Sequence, residues 1–260
     1  MNVFSYSRIG AFESCPKKFA FRYIDDAHVE GEGIEAFMGK RAHETLEHLY
    51  REAHVGRLIS EPDCLAYFDA AWDKAFTEAV RIVAAGATAQ DYRDNGRLDL
   101  QRYYRRHAPF TQRRLLAVEQ HIEVPLSEHR NLMLQGYVDR IDEVAPGELQ
   151  IHDYKTSRRL PPQSAMDADR QLAIYELGVR RLFPETRTVT LVWHYLRFDR
   201  EIRSQRTAAR LERVREEMLL KAEDILRAIA RGEFPARVSR LCDWCDYRQL
   251  CPAINRGRAA

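Results

Sequence analysis

Apolar residues recur at helical spacing through most of the first 110 positions of the chain. This spacing predicts a helix over Ser7–Tyr23 and three more over Glu35–Ala53, Cys64–Ala85 and Gln90–His107. The first half of the chain is therefore expected to be largely helical.

The pattern changes after position 110 to short runs rich in Val, Ile, Leu and Tyr. The runs Leu115–Leu126, Leu132–Val144 and Leu149–Tyr154 are separated by short polar or Gly-containing segments. Such runs with turns between them are typical of consecutive antiparallel strands. We expect a three-strand meander here.

Helical and strand patterns alternate in the rest of the chain. Asp167–Phe183 is predicted to be a helix, Thr188–Phe198 a strand and Ala208–Arg231 a long amphipathic helix, while the tail from Pro235 is irregular. Together with the meander, this order predicts an α/β fold with a central mixed sheet flanked by helices. The absence of a Gly-rich phosphate loop from the sequence argues against a doubly wound dinucleotide-binding fold.

Composition narrows the class of protein. The 260 residues are 45% hydrophobic and 31% charged, which favours one elaborated globular domain over positions 1–260. The longest apolar runs are far too short for a bilayer span, and the first positions lack a basic-then-apolar signal pattern. The sequence predicts a cytoplasmic protein without a membrane partner.

The net charge of +2 demands no nucleic-acid partner by itself. Arginines crowd the stretch 197–215, where the simplest interpretation is the solvated face of a helix. Tyr103 and Tyr104, beside Arg102, Arg105 and Arg106, could stack bases and follow phosphates, although an ordinary amphipathic helix is the favoured interpretation.

Acidic residues and one lysine fall at corresponding places in two predicted strands. Gly136-Tyr137-Val138-Asp139 lies in the first, and Asp153-Tyr154-Lys155-Thr156 ends the next. If the strands are neighbours, alternation places Asp139, Asp153 and Lys155 on one side of the sheet, where carboxylates suit Mg²⁺ or Mn²⁺. An Asp-x-Lys alone is weak, because a chain of this length contains about one or two by chance. A surface ion pair would explain it too.

Two further motifs flank this pair of strands. Gly39-Lys40-Arg41-Ala42-His43 lies near the start of a predicted helix, and Gln171-Leu172-Ala173-Ile174-Tyr175 lies on the helix that follows the Asp-x-Lys strand. The four motifs in this order resemble the RecB-like nucleases of the PD-(D/E)XK superfamily, and the resemblance runs from Tyr6 to Pro252. It implies a restriction-endonuclease-like core with a helical amino-terminal elaboration.

The resemblance also implies roles for these residues. The ligands of Mg²⁺ or Mn²⁺ would be His43, Asp139, Asp153 and the backbone carbonyl of Tyr154. The catalytic residues would be Asp139, Asp153 and Lys155. Support of the site or contact with DNA would come from Gln171 and Tyr175. It implies a metal-dependent DNA exonuclease that acts on single-stranded DNA or DNA ends in repair or recombination. Alternatives are a CRISPR adaptation nuclease working with an integrase partner, and a non-catalytic cluster-stabilised DNA-binding subunit.

The five cysteines form an odd set in a chain without a secretion pattern, which argues against a disulfide framework. Cys242, Cys245 and Cys251 have a spacing typical of metal binding but supply only three thiolates. The resemblance implies that Cys15 is the fourth ligand of a [4Fe-4S] cluster joining segments 1–34 and 235–252, with 54–110 as a helical insertion. Four thiolates could also hold zinc. Cys64 fits a small buried hydrophobe.

Overall fold

The fold is known from a computed structural model that describes residues 2–255. Six strands form one sheet. Their bounds are β1 (Val3–Ser5), β2 (Arg114–Ser127), β3 (Leu132–Ala145), β4 (Glu148–Lys155), β5 (Thr188–Tyr195) and β6 (Arg200–Ser204).

The order along the sheet is β1-β3-β4-β5-β6, and β2 pairs with β3. The β2–β3–β4 pairings are antiparallel, which confirms the predicted meander, whereas β1–β3 and β4–β5 are parallel. The mixed sheet is thus confirmed. The sequence pattern missed β1 and β6 because strands of three and five residues are too short to show a period.

Nine α-helices are described in residues 2–255. They are α1 (Tyr6–Ser14), α2 (Pro16–Tyr23), α3 (Ile34–His54), α4 (Glu61–Ala75), α5 (Ala89–His107), α6 (Gln163–Asp167), α7 (Gln171–Leu182), α8 (Ala208–Arg231) and α9 (Pro252–Asn255).

Three predicted helices differ from the structure. The helix expected over Ser7–Tyr23 breaks at Cys15, which is extended (φ −163°, ψ 111°) because the ring of Pro16 disfavours a helical conformation in the residue before it. The helix expected to reach Ala85 ends at Ala75, and the chain then forms a bridge to Gly33. The one expected over Asp167–Phe183 begins later, at Gln171 of α7, and Asp167 is instead the last residue of α6.

Helices cover both faces of the sheet. One core contains sheet residues such as Ile151 and Trp193 together with Ile9 of α1, Val179 of α7 and Val214 of α8. The second core, on the opposite face, joins α3, α4 and α5 to Tyr154 and Leu196. This α/β arrangement is consistent with a restriction-endonuclease-like core.

The regular alternation of β3 is interrupted at Asp139. Val138 and Ile141 both pack in the first core although they are three residues apart, whereas strict alternation would place them on opposite faces. On the neighbouring strand, Glu119 has a left-handed backbone (φ 49°). In both strands, the alternation of side chains between the two faces of the sheet is therefore interrupted at the same level.

The sheet also forks at this level. On the side of β3 away from β2, β1 pairs with residues 133–135, and the β4 ladder begins at Arg140. Residues 136–139 lie between the two partners. None of the helices described in residues 2–255 has the length and apolarity needed to cross a membrane.

Candidate metal centre

Three elements meet at the carboxylate of Asp139. His43 reaches it from α3, with Nδ1 3.4 Å from Asp139 Oδ2. The backbone N–H of Tyr154 on β4 donates to the same oxygen (2.9 Å), and the Tyr154 carbonyl lies 2.8 Å from His43 Nε2. The sheet fork thus brings together an imidazole, a carboxylate and a main-chain carbonyl, the donors predicted from the sequence.

Asp153 and Lys155 form the adjacent part of the centre. They alternate on β4 with Tyr154, and Lys155 Nζ lies 2.7 Å from Asp153 Oδ2. Lys155 Nζ also donates to Gln171 Oε1 (3.2 Å), and Gln171 Nε2 donates to the Tyr175 hydroxyl (3.2 Å). The first turn of α7 therefore gives the lysine a second contact besides its ion pair with Asp153.

Gly136 lets α7 approach the sheet. A Cβ atom at this position would lie 2.7 Å from Cε1 of Tyr175, closer than van der Waals contact permits. The missing side chain therefore makes room for the tyrosine ring that supports Gln171.

Burial and opposite charge together set the protonation of these groups. Burial alone would lower the pKa of His43, but the Asp139 carboxylate raises it to about 9. Burial raises the pKa of Asp153 to about 6 even though Lys155 opposes the shift. For Lys155, burial is outweighed by Asp153, and its pKa is raised. The carboxylates are thus compensated by cationic groups in a poorly solvated space.

Glu119 belongs to the same centre and was missed in the sequence. One ligand atom each of His43, Glu119 and Asp139 lies within 4.8 Å of the others. Burial, followed by the charge of Asp139, raises the pKa of Glu119 to about 7. A carboxylate inside the apolar run of β2 could have marked Glu119 as a candidate site residue. The left-handed backbone that turns its side chain toward the centre could not be predicted from the sequence.

This donor set fits a hard divalent cation. Carboxylate and carbonyl oxygens suit Mg²⁺ and Mn²⁺, and an imidazole is acceptable to Mn²⁺. After burial, the charge of Asp139 is the next cause of the raised pKa of Glu119, and a cation between the two carboxylates would relieve that repulsion.

The helix α5 does not offer Tyr103 as a base-stacking platform. Its ring is buried, and its hydroxyl lies 2.7 Å from Tyr50 and accepts from Arg140 (2.8 Å). Two of the neighbouring arginines pair with acidic residues of the same chain, Arg105 with Glu61 and Arg106 with Asp199. The amphipathic-helix interpretation therefore accounts for Tyr103 and for these two arginines.

Four cysteines line one cavity between the two ends of the described chain. Its volume is about 210 Å³, and its lining includes Cys15, Cys242, Cys245 and Cys251. Phe21 of α2 stacks on Tyr247 of the tail with ring centroids 5.5 Å apart. Cys64, in contrast, is buried in α4 within the second core.

The fold and the group of acidic residues with a lysine at the fork define the class as an α/β nuclease. A family model described as the PD-(D/E)XK nuclease superfamily matches residues 3–252. The chain belongs to this superfamily. No curated protein matches it.

One solved structure adds a likeness of fold. A protein from Eubacterium rectale that is described as a candidate exonuclease aligns with a TM-score of 0.57 at 11% identity, over 100% of this chain and 89% of that one. SSO0001 aligns with a TM-score of 0.44 at 16% identity, over 97% of this chain and 86% of that one.

Proposed function

We propose that the protein is a divalent-metal-dependent DNA exonuclease of the RecB-like kind, acting on single-stranded DNA or DNA ends in repair or recombination. The observation that carries this proposal is the meeting of His43, Asp139, Asp153, Lys155 and the Tyr154 carbonyl at the sheet fork. Membership in the nuclease superfamily supplies the chemistry, which is hydrolysis of a phosphodiester bond.

The metal would be held by His43, Asp139, Asp153 and the carbonyl of Tyr154, and Glu119 is placed to complete the set. A bound Mg²⁺ or Mn²⁺ supplies Lewis acidity to a phosphate oxygen and lowers the pKa of water. The backbone N–H of Tyr154 fixes the orientation of Asp139 through its 2.9 Å hydrogen bond. The protein's own contribution is thus to orient these donors at the fork.

Lys155 is proposed to stabilise negative charge on the reacting phosphate. Its ammonium lies between Asp153 and Gln171, so its long stem is fixed at both sides. Its raised pKa keeps it cationic at neutral pH. Gln171 and Tyr175 position this lysine, and contact with DNA is a second role proposed for them.

The test is cleavage of end-labelled single-stranded and duplex DNA with added Mg²⁺ or Mn²⁺. Lys155→Met and Asp153→Asn should each lose at least about 100-fold of the rate, because charge stabilisation is a large part of phosphoryl-transfer catalysis. Lys221→Met and Asp224→Asn on α8 are matched controls. Variants of Lys155 and Asp153 that cleave as fast as the controls would reject the site. A covalently closed duplex cut as fast as a free single strand would reject the preference for strands and ends.

The cysteine cavity is proposed to hold a [4Fe-4S] cluster. Among the described residues, no three of the four sulfur atoms lie within 4.8 Å of one another. A tetrahedral zinc with bonds of about 2.3 Å needs sulfur atoms about 3.8 Å apart. A cavity of about 210 Å³ with well-separated thiolates therefore favours the larger group. Backbone N–H groups of Arg237 and Ser239 donate to Cys15 and Cys242, which suits thiolate ligands.

Iron content separates the two occupants. Protein purified without oxygen should contain about four irons per chain and be brown, whereas one zinc and no colour would reject the cluster. Cys15→Ser should lose iron as fully as Cys245→Ser, and Cys64→Ser should retain it. A Cys15→Ser protein that keeps its iron would show that the fourth ligand lies elsewhere.

A further inference from the structure

A second group of metal-binding side chains lies on the sheet face opposite Asp153 and Lys155. His107 ends α5, His194 lies on β5 and Glu201 on β6. His107 Nε2 and His194 Nδ1 are each 3.6 Å from Glu201 Oε1, and the three ligand atoms lie within 4.8 Å of one another. The space beside them, about 10 Å³, is close to the volume of a single water-sized sphere.

A buried arginine determines where the protons of this group are. Arg140 Nη2 lies 2.8 Å from His152 Nδ1 and can only donate, so that nitrogen is an acceptor. The same nitrogen lies 2.8 Å from His194 Nε2, which must therefore carry a proton. It follows that the Nδ1 atom of neutral His194 presents a lone pair to Glu201.

Glu201 cannot satisfy that lone pair, because an ionised carboxylate only accepts hydrogen bonds. The 3.6 Å separations from both imidazoles are also too long for a shared proton. His194 Nδ1 and Glu201 Oε1 thus face each other as acceptors with no proton between them. A cation bound between them would satisfy both.

We propose that His107, His194 and Glu201 bind one Zn²⁺ ion. Zinc bonds of about 2.0–2.1 Å to nitrogen and oxygen place neighbouring ligand atoms of a tetrahedron about 3.3 Å apart, close to the two separations of 3.6 Å. Two histidines and one glutamate are a donor set that zinc accepts, and a water molecule would supply the fourth ligand. Mg²⁺ and Ca²⁺ prefer oxygen-only sites.

The surroundings orient each ligand. Arg203 Nη2 holds the other oxygen of Glu201 at 2.7 Å, which leaves Oε1 directed at the ion. His152, whose Nε2 is 3.2 Å from Asp142, holds His194 from behind. Arg106 also lines the space, but Asp199 pairs with it at 3.3 Å and moderates its charge.

The helix and the imidazoles are suited to a cation. His107 is the last residue of α5, and the partial negative charge at a helix carboxyl end favours a positive ion. His107 Nε2 faces Glu201 Oε1 and can bind the ion when the proton of the neutral ring is on Nδ1. The ion would fasten the end of α5 to the β5–β6 hairpin and would therefore be structural.

The first test is cobalt binding to metal-stripped protein with Mg²⁺ in excess. Cobalt at this site has nitrogen and oxygen ligands, so it should give visible d–d bands without the thiolate charge transfer that cysteine ligation would add. Glu201→Gln and His107→Gln should each lose one such bound Co²⁺ per chain, with affinity reduced at least about 100-fold. His54→Gln and Glu212→Gln, at exposed positions, should match the wild type. Equal cobalt binding by all five proteins would overturn the site.

The second test uses wild-type protein alone, so that misfolding of a variant cannot obscure the answer. Crystals equilibrated with Zn²⁺ and measured at the zinc absorption edge should show an anomalous peak between His107 Nε2, His194 Nδ1 and Glu201 Oε1. A map without that peak would overturn the proposal.

Discussion

Replacing Gly136 with alanine should disturb the centre through a single methyl group. The new Cβ would lie 2.7 Å from Cε1 of Tyr175 and 3.3 Å from its Cζ and hydroxyl oxygen. Overpacking of this kind costs about 1–3 kcal/mol, and loss of glycine's freedom in the unfolded chain returns about 0.5–1 kcal/mol. We expect the free energy of unfolding to fall by about 1–2 kcal/mol.

The same methyl group should slow catalysis. Tyr175 accepts from Gln171, and Gln171 accepts from Lys155, so a displaced ring moves the ammonium. A misplacement of 1 Å can cost about 100-fold in rate, and a shift of a few tenths of an ångström should cost about tenfold. Urea unfolding and the rate of Mg²⁺-dependent cleavage of single-stranded DNA measure the two effects.

A double-mutant cycle identifies the contact responsible. Tyr175→Leu removes the ring, so Gly136→Ala should cost little stability in that background, and the coupling energy should be about 1 kcal/mol or more. Gly10→Ala is the matched control, because a Cβ there meets nothing within 4 Å. Gly136→Ala protein as stable and active as the Gly10→Ala protein would refute the reasoning.

Three further substitutions test buried charges. Glu119→Gln should raise the Mg²⁺ concentration needed for half-maximal cleavage at least about tenfold. Glu123→Gln, at an exposed position on the same strand, should leave it unchanged. If both variants needed the same Mg²⁺ concentration, Glu119 would not belong to the donor set. Burial raises the pKa of Asp99 to about 6, so its protonated form contributes stability below pH 4 that is lost as pH rises through 6. Asp99→Asn should therefore add about 2 kcal/mol at pH 8 and almost nothing at pH 4 in urea unfolding, and a gain equal at both pH values would contradict this. Arg140→Met leaves Asp142 as an uncompensated buried carboxylate, so the free energy of unfolding measured by thermal unfolding should fall by about 3–5 kcal/mol. Adding Asp142→Leu should recover most of that loss. A double variant no more stable than the single one would show that the ion pair is not the cause.

The order of the main elements could be predicted because their apolar patterns are long. The meander and its neighbouring helix α7 follow from periodicity, and alternation brings Asp153 and Lys155 to one face of β4. These predictions needed only local regularity and the antiparallel pairing of adjacent strands.

The remaining features depend on exceptions to that regularity. Glu119 reaches the centre through a left-handed backbone, and β3 changes its facing at Asp139. The His107, His194 and Glu201 group forms across three elements whose spacing in the sequence carries no periodic signal. The amphipathic pattern of α5 does not specify the partners of Tyr103, whose contact with Arg140 depends on tertiary packing.

The fork in the sheet has a consequence for local opening of the protein. Residues 136–138 have partners in β2, while the ladders of β1 and β4 stop on either side of residues 136–139 along the other edge. Support on that edge comes from side chains, through the bonds from His43 and Tyr154 to Asp139. Amide hydrogens around Asp139 should therefore exchange with solvent faster than those of Ile141 and Ile151 in metal-free protein, and they should slow markedly when a divalent ion is added. The centre would then be a region that becomes fully ordered only when the cation is present.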